Sequence, residues 1–159
     1  MRTGLFVGTF DPFTVGHDNI VRRALPLFDR LVIGVVGDNV HKPQMSPAAD
    51  RMAAISSLYA DEPAIEVVPY YGLAVDLARS IGAKFIVKGV RSVKDFEYER
   101  DMADVNRRIA GIETILIYAD PQLAAISSTT VRELQHFGAD VSEFLPEKLE
   151  ERGLNNYLE

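Results

Sequence analysis

A threonine and a histidine lie at the two ends of a glycine-containing loop near the start of the sequence. Residues 8–17 read G-T-F-D-P-F-T-V-G-H and precede a helical pattern. Glycines let the backbone approach a ligand closely, and the free N–H groups of a first helical turn favour an anion. Thr9 and His17 could therefore reach one phosphate oxygen, as phosphoryl transfer requires. Taken separately, Asp11 and Pro12 favour a plain turn, and His17 favours a structural role.

A second group of polar side chains opens another predicted helix. Residues 127–130 are four consecutive hydroxyl residues, and Arg132 follows them. One serine or threonine is enough to cap a helix, so capping alone leaves the other hydroxyls and Arg132 unexplained. A second site for an oxyanion is the better interpretation.

Two cations mark a third segment. Residues 88–99 read K-G-V-R-S-V-K-D-F-E-Y-E, so Lys88 and Arg91 flank Gly89 directly after an apolar run. An isolated basic loop is usually a solvated one, but this loop joins two other phosphate-compatible loops at predicted strand ends. The pair His41 and Lys42 follows a further strand and is a weaker candidate for the same site.

The elements that must position these residues alternate between strand and helix. Apolar, β-rich runs predict strands at residues 5–7, 31–36, 65–68, 85–87 and 114–118. Helical spacing predicts helices at residues 19–28, 47–59, 73–81, 96–109 and 128–137. Continuously apolar strands suit a parallel sheet that is covered on both faces. We therefore expect an α/β fold with one doubly wound, five-stranded parallel sheet and ligands at its carboxyl edge.

Length and composition restrict the classes of protein that remain. The chain has 159 residues, and we expect one domain over 1–159 with a short helical tail from about residue 141. The net charge of −6 argues against a broad nucleic-acid surface. The absence of cysteine fits a reducing compartment, and no signal peptide or membrane-spanning run stands out, so we expect the cytoplasm.

The motifs resemble those of a known superfamily. Residues 14–17, T-V-G-H, and 126–132, I-S-S-T-T-V-R, resemble the T/H-x-G-H and I-S-S-T-x-x-R motifs of the nucleotidyltransferases. Residues 88–99 are similar to the R-G-x-R-x-x-x-D-F-E-Y-E signature of the bacterial phosphopantetheine adenylyltransferase family. The resemblance implies a Rossmann-like nucleotidyltransferase fold and a Mg²⁺-dependent reaction without a covalent enzyme intermediate. ATP and 4'-phosphopantetheine would give dephospho-coenzyme A and pyrophosphate, the penultimate step of coenzyme A biosynthesis.

The resemblance also implies roles for individual residues. His17 and Thr9 would stabilise charge on the α-phosphoryl group, Arg91 would hold the ATP phosphates, and these three are the expected catalytic residues. Ser128 and Thr129 would donate hydroxyl hydrogen bonds to the nucleotide. The implied ATP-binding residues are Thr9, Phe10, His17, Gly89, Val90, Arg91, Glu99, Leu123, Ala124, Ala125, Ile126, Ser127, Ser128 and Thr129. The implied phosphopantetheine-binding residues are Thr9, His41, Lys42, Ala74 and Lys88, and no magnesium ligand is identified.

Three positions depart from the family pattern. His41 stands where relatives often carry lysine, and adjacent Lys42 is the alternative for that role. Lys88 stands where arginine is common, so the planar fork is replaced by a point charge. Ala74 is smaller than the usual aliphatic residue. The resemblance implies a hexamer of two trimers, with ATP and phosphopantetheine as small-molecule partners and no nucleic-acid or membrane partner.

Proteins of other functions share some of these sequence features. A nicotinate-mononucleotide adenylyltransferase or a glycerol-phosphate cytidylyltransferase would share the first two motifs, but the D-F-E-Y-E string argues against both. A class I aminoacyl-tRNA synthetase would need a tRNA-binding domain. A nucleotide sensor that binds ATP without turnover would have little need for a histidine at the α-phosphate.

Overall fold

A five-stranded parallel sheet lies at the centre of the protein. The computed structural model describes residues 1–37 and 46–147. The strands lie side by side in the order β3-β2-β1-β4-β5, and every neighbouring pair is parallel. Their bounds are β1 (Thr3–Gly8), β2 (Arg30–Val36), β3 (Ile65–Tyr70), β4 (Phe85–Val90) and β5 (Glu113–Tyr118). This arrangement confirms the predicted α/β fold and all five predicted strands.

In residues 1–37 and 46–147, five α-helices connect and flank the strands. They are α1 (Val15–Ala24), α2 (Ala48–Leu58), α3 (Ala74–Ser80), α4 (Val93–Ala110) and α5 (Ser128–His136). Short 3-10 helices follow α1 at Leu25–Leu27 and lie near the C-terminus at Ser142–Phe144. The predicted helical tail from about residue 141 is described only to residue 147, and there it contains the second 3-10 helix.

Two predicted helix starts are wrong, and capping explains both. α1 begins at Val15 rather than residue 19, because the Thr14 side chain accepts the His17 N–H as an N-cap. α4 begins at Val93 rather than residue 96, because Ser92 caps it by accepting the N–H of Asp95. In both cases residues interpreted as loop form the first helical turn. His17 and the start of the D-F-E-Y-E string are therefore held by helices.

Alternate side chains of the strands feed two separate cores. Phe6 of β1 and Ile33 of β2 pack in one cluster with α1 and α2, which contribute Val21 and Ile55. The neighbouring strand residues point to the opposite face and pack with α3 in a second cluster, whose members include Leu5, Val32, Val75, Ala78 and Ile86. Both faces of the sheet are thus covered, as the apolar strands require.

The sheet order sets the place where a ligand can bind. The chain runs from β1 outward to β2 and β3, and then crosses back to β4 and β5 on the other side of β1. This is the topological switch point of a doubly wound sheet, and the crevice outside its carboxyl edge is the usual ligand site. Residues 8–17 and 88–91 border that crevice from β1 and β4.

Candidate active site

A cleft of about 360 Å³ opens at the carboxyl edge of β1 and β4. Three cationic or imidazole side chains meet there, namely His17, Lys88 and Arg91. Such a cleft has the charge and size to hold phosphate groups of a small ligand. The other lining residues are Phe6, Val7, Gly8, Thr9, Phe10, Thr14, Gly16, Ile20, Gly89, Asp95, Glu99, Ala119, Leu123, Ile126, Ser127, Ser128 and Thr129.

His17 enters the cleft from the first turn of α1. Its Nδ1 accepts a hydrogen bond from the backbone N–H of Thr14 at 3.0 Å, which completes a capping box. The rings of Phe10 and Phe13 lie 5.1 and 5.3 Å from the imidazole, centroid to centroid. His17 is thus a capping residue of α1, and it also lines the cleft.

The surroundings of His17 fix its protonation state. Burial and, to a smaller extent, the positive charge of Arg91 together lower the pKa of His17 from 6.5 to about 4. The imidazole is therefore neutral at pH 7. Because Nδ1 accepts the Thr14 N–H, the single ring proton is on Nε2. The site holds a neutral hydrogen-bond donor at this position.

The loop after β1 is held in an unusual backbone conformation. Phe10 has a φ of +52°, which is rare for a bulky residue, and its side chain is buried. Gly8 is required beside it, since a Cβ at this position would lie 2.7 Å from the Phe10 ring. The predicted turn at Asp11 and Pro12 is present, and the peptide bond between them is cis.

Hydrogen bonds from distant segments fix this loop. The Ser128 hydroxyl donates to the Pro12 carbonyl at 2.8 Å, and the Arg132 guanidinium donates to the Asp11 carbonyl. A carboxylate oxygen of Asp11 accepts the backbone N–H of Ser46 at 3.0 Å. The conformation of residues 9–12 is thus held by contacts from α5 and from the segment before α2.

The hydroxyl-rich segment lines the cleft and also has structural partners. Ser127 is the N-cap of α5 and accepts the N–H of Thr130 at 3.1 Å. Ser128 and Arg132 have the structural partners described above, and Arg132 also donates to the Thr129 hydroxyl at 3.3 Å. Capping and loop fixation therefore account for side chains that capping alone left unexplained. The Ser128 hydroxyl has one proton, so it can donate either to the Pro12 carbonyl or to a nucleotide.

The two cations of the third segment are paired with carboxylates of α4. Lys88 Nζ lies 3.4 Å from a Glu99 carboxylate oxygen. Arg91 Nε lies 3.5 Å from Asp95, which also accepts the Arg91 backbone N–H at 3.2 Å. A second Arg91 nitrogen donates to the Ile126 carbonyl at 3.5 Å. These pairs hold both cations at the cleft wall.

Gly89 lets α1 approach β4 closely. A Cβ on Gly89 would lie 2.9 Å from Cγ1 of Ile20, so any larger residue would push the helix away. Since α1 carries His17 and β4 carries Lys88, this close approach sets the width of the cleft between them.

The cleft does not include every predicted residue. Val90 is buried and faces a neighbouring groove with Phe96 and Tyr118. Ala124 and Ala125 lie in the turn before α5 but are outside the lining, and Ala74 begins α3 and packs against the second core cluster. His41 and Lys42 lie outside the described residues.

Several lining residues were not predicted. Asp95 stands four residues after Arg91, the spacing of a helical ion pair, so a sequence signal existed. Phe6, Ile20 and Ala119 are ordinary apolar residues without any such signal. Outside the lining, Arg51 was also not predicted. Its guanidinium donates to the Thr9 carbonyl at 2.7 Å, and no local pattern in the sequence indicates this contact.

Comparison with known proteins identifies the family that this chain resembles. The cytidylyltransferase-like family profile matches residues 5–134. Phosphopantetheine adenylyltransferase of Phocaeicola vulgatus is 52% identical over 147 residues, covering 92% of this chain and 97% of the relative. The Porphyromonas gingivalis enzyme of that name is 51% identical over 143 residues, covering 90% and 93%. The one from Leuconostoc citreum is 46% identical and covers 92% of each chain.

Solved structures share the fold at low sequence identity. A Vibrio parahaemolyticus protein, assigned provisionally as a nicotinate-nucleotide adenylyltransferase, aligns with a TM-score of 0.68 at 16% identity, covering 95% of this chain and 91% of that one. A lipopolysaccharide core biosynthesis protein from Thermoplasma volcanium aligns with a TM-score of 0.57 at 19% identity, covering 76% and 97%. These likenesses concern the fold alone.

Proposed function

The chain belongs to the phosphopantetheine adenylyltransferase family, and we infer that the cleft at β1 and β4 is where it carries out that family's reaction. The protein transfers the adenylyl group of ATP to 4'-phosphopantetheine, reversibly, and releases dephospho-coenzyme A and pyrophosphate. The observation that supports this location most directly is the convergence of His17, Lys88 and Arg91 on one cleft at the switch point of the sheet.

We propose a direct, in-line transfer. A phosphate oxygen of phosphopantetheine attacks the α-phosphorus of ATP, and the bond from that phosphorus to the bridging oxygen of the β-phosphate breaks. The phosphate monoester needs no general base, because its second pKa of about 6 leaves it largely dianionic at pH 7. The enzyme is then required to position the two phosphates and to stabilise negative charge.

His17 and Thr9 are the proposed stabilisers of that charge. The neutral imidazole can donate its Nε2 proton to an oxygen of the α-phosphoryl group, because Nδ1 is already occupied by the Thr14 N–H. Thr9 also lines the cleft and carries a hydroxyl donor. An orientated donor in an enclosed cleft stabilises a developing anion more than a solvated one would.

Arg91 and Lys88 are the proposed phosphate ligands. Arg91 would hold the ATP phosphates and Lys88 the acceptor phosphate, each exchanging part of its contact with Asp95 or Glu99 for the ligand. We propose that Phe10, Gly89, Glu99, Leu123, Ile126, Ser127, Ser128 and Thr129 line the nucleotide side, as their positions in the cleft allow. At the margin of the cleft, the nucleotide would contact Val90, Ala124 and Ala125. We propose that the acceptor, phosphopantetheine, is bound by Ala74, His41 and Lys42.

We propose that Mg²⁺ enters the site bound to the ATP phosphates. Within residues 1–37 and 46–147 there is no group of three or more His, Asp or Glu side chains that could hold a metal. The cleft carboxylates Asp95 and Glu99 face cations instead. Mg²⁺ is often held largely by phosphates and water, and there it neutralises phosphate charge. Chelation should abolish turnover, and added Mg²⁺ should restore it.

We propose that the protein assembles as a homohexamer, as the family resemblance implies. α4 has no buried residue although it carries several apolar side chains. An exposed apolar helix face of this kind favours a protein contact. The apolar side chains of α4 that are at least one-third exposed are Val93, Phe96, Tyr98, Met102, Val105 and Ile109. Native mass spectrometry should give six chains per particle, and a monomer would refute the assembly.

The compartment and the domain organisation stay proposals. No helix in the described part of the chain is long and apolar enough to cross a membrane. We propose the cytoplasm, where ATP is available to the reaction. A single domain over 1–159 is supported by the one sheet and its two cores, although residues 38–45 and 148–159 are outside the described part.

A pyrophosphate-release assay tests the acceptor. The purified protein is given ATP and Mg²⁺ with phosphopantetheine, nicotinate mononucleotide or glycerol phosphate in parallel. Release with phosphopantetheine is expected, and the His17→Ala variant serves as a control for contaminating activity. Activity with one of the other acceptors and none with phosphopantetheine would overturn the assignment.

A further inference from the structure

Arg51 is an almost fully buried arginine of α2 that lies behind the cleft. Only 4% of the residue is exposed. Its Nη1 donates to the carbonyl of Thr9 at 2.7 Å and to the carbonyl of Val36 at 2.8 Å. Its Nε donates to the carbonyl of Ser46 at 2.8 Å. A buried guanidinium is tolerated because such hydrogen bonds replace its hydration.

The three carbonyls belong to three different segments. Thr9 follows β1 and carries a proposed catalytic hydroxyl, Val36 ends β2, and Ser46 lies just before α2. Only arginine offers several N–H donors in one plane, so a single side chain can bind all three carbonyls at once. Arg51 therefore ties the Thr9 loop to the end of β2 and to the start of α2.

Packing and hydrogen bonds together set the position of this loop. The Phe10 and Phe13 side chains are buried in the first core cluster. Phe10 also holds a φ of +52°, which costs about 1–3 kcal/mol and persists only when the surroundings enforce it. The hydrogen bonds from Arg51 to the Thr9 carbonyl and from Ser46 to the Asp11 carboxylate contribute directional constraints to those surroundings.

We propose that Arg51 is a positioning residue for adenylyl transfer. By holding the Thr9 carbonyl it fixes the loop on which the Thr9 hydroxyl meets the transferred phosphoryl group. The Ser46 N–H that binds the Asp11 carboxylate joins the same two segments and supports the same course. Arg51 does not line the cleft and touches no reactant. The inference rests on the function proposed above.

A residue that positions Thr9 and a residue that only stabilises the fold would have different effects on the kinetics. Arg91 and Gly89 line the nucleotide side of the cleft and have no hydrogen bond with Arg51 among those described. A displaced Thr9 loop should therefore reduce kcat far more than it weakens ATP binding, because most of the residues on the nucleotide side keep their positions. A residue that only stabilised the fold would change the melting temperature and leave both kinetic quantities of the folded protein as they are.

The test uses Arg51→Lys and Arg51→Gln with a matched core variant. Lysine keeps the charge but can bind fewer carbonyls, and glutamine removes the charge. Val32→Ala is the control, since Val32 is fully buried in the opposite core cluster. For each variant we measure the melting temperature, the Kd for ATP by calorimetry, and kcat with ATP and phosphopantetheine.

The expected results differ between the variants. Arg51→Lys should lower kcat by about 10- to 100-fold, because a displacement of about 1 Å can cost that much. Its Kd for ATP should stay within about threefold of the wild type. Arg51→Gln should lower kcat at least as far. Val32→Ala should lose thermal stability and keep kcat within about twofold.

Three results would overturn the positioning role. These are a wild-type kcat in Arg51→Lys, a loss of ATP affinity as large as the loss of kcat, and failure of both Arg51 variants to fold at the assay temperature. In the last case Arg51 would be a determinant of stability. A wild-type protein that shows no pyrophosphate release with phosphopantetheine refutes the proposed function instead, so the two failures are distinguishable.

Discussion

Replacing His17 by alanine is the most direct test of the cleft's chemistry. The imidazole is neutral at pH 7, because burial lowers its pKa to about 4. Its Nδ1 accepts the Thr14 N–H at 3.0 Å, which leaves Nε2–H as the donor for the α-phosphoryl group. The substitution thus removes this orientated donor and the Nδ1 acceptor of the capping box, and it changes no net charge.

The size of the effect follows from where the donor acts. Removing one such donor from an enclosed site costs about 2.7–4 kcal/mol of transition-state stabilisation. That corresponds to a loss of about 10²- to 10³-fold in kcat. Binding of ATP should suffer far less, since a neutral donor gains most when charge develops on the phosphoryl oxygens. Arg91 and the rest of the cleft still bind the nucleotide phosphates in the variant.

The assay combines kcat from pyrophosphate release with the Kd for ATP from calorimetry. His136→Ala is the matched control, because His136 ends α5 and does not line the cleft. His17→Gln should recover part of the lost rate, since its amide can donate a hydrogen bond. Equal losses of kcat and ATP affinity in His17→Ala would refute the reasoning, and so would a full rate in that variant.

Three further predictions concern stability and the cleft's construction. The free energy of unfolding should fall as pH is lowered from 6.5 to about 4, because burial lowers the pKa of His17 in the folded protein, so only the unfolded chain takes up a proton in this range. Urea titrations should show a loss of up to about 3 kcal/mol relative to His17→Gln. A difference between the two proteins that does not change with pH would contradict this prediction. Gly89→Ala should destabilise the protein by about 1–3 kcal/mol in urea unfolding and raise the KM for ATP, because the new Cβ would lie 2.9 Å from Ile20; wild-type values for both would show that the helix yields freely. Ser128→Ala should cost about 1 kcal/mol of stability through the lost bond to the Pro12 carbonyl, whereas a tenfold weaker Kd for ATP with unchanged stability would indicate instead that the hydroxyl serves the nucleotide.

The sequence by itself determined the strands and the edge at which the site lies. The apolar runs are local features, and all five form strands. They could be predicted because a parallel strand buried on both faces is continuously apolar in its own residues. The two misplaced helix starts depended on side-chain caps at Thr14 and Ser92. Those caps use residues typical of loops, so periodicity alone assigned the first turns to the loop.

The tertiary structure decided the partners of the polar side chains. Ser128 and Arg132 bind the carbonyls of residues more than a hundred positions earlier, and Arg51 binds Thr9 across 42 positions. Such pairs form because parallel strands bring distant loops to one edge, and no local pattern encodes them. The neutral state of His17 likewise depends on the burial that packing creates. The sequence thus determined which residues are available for chemistry, and packing decided which of them face the cleft and which hold it in place.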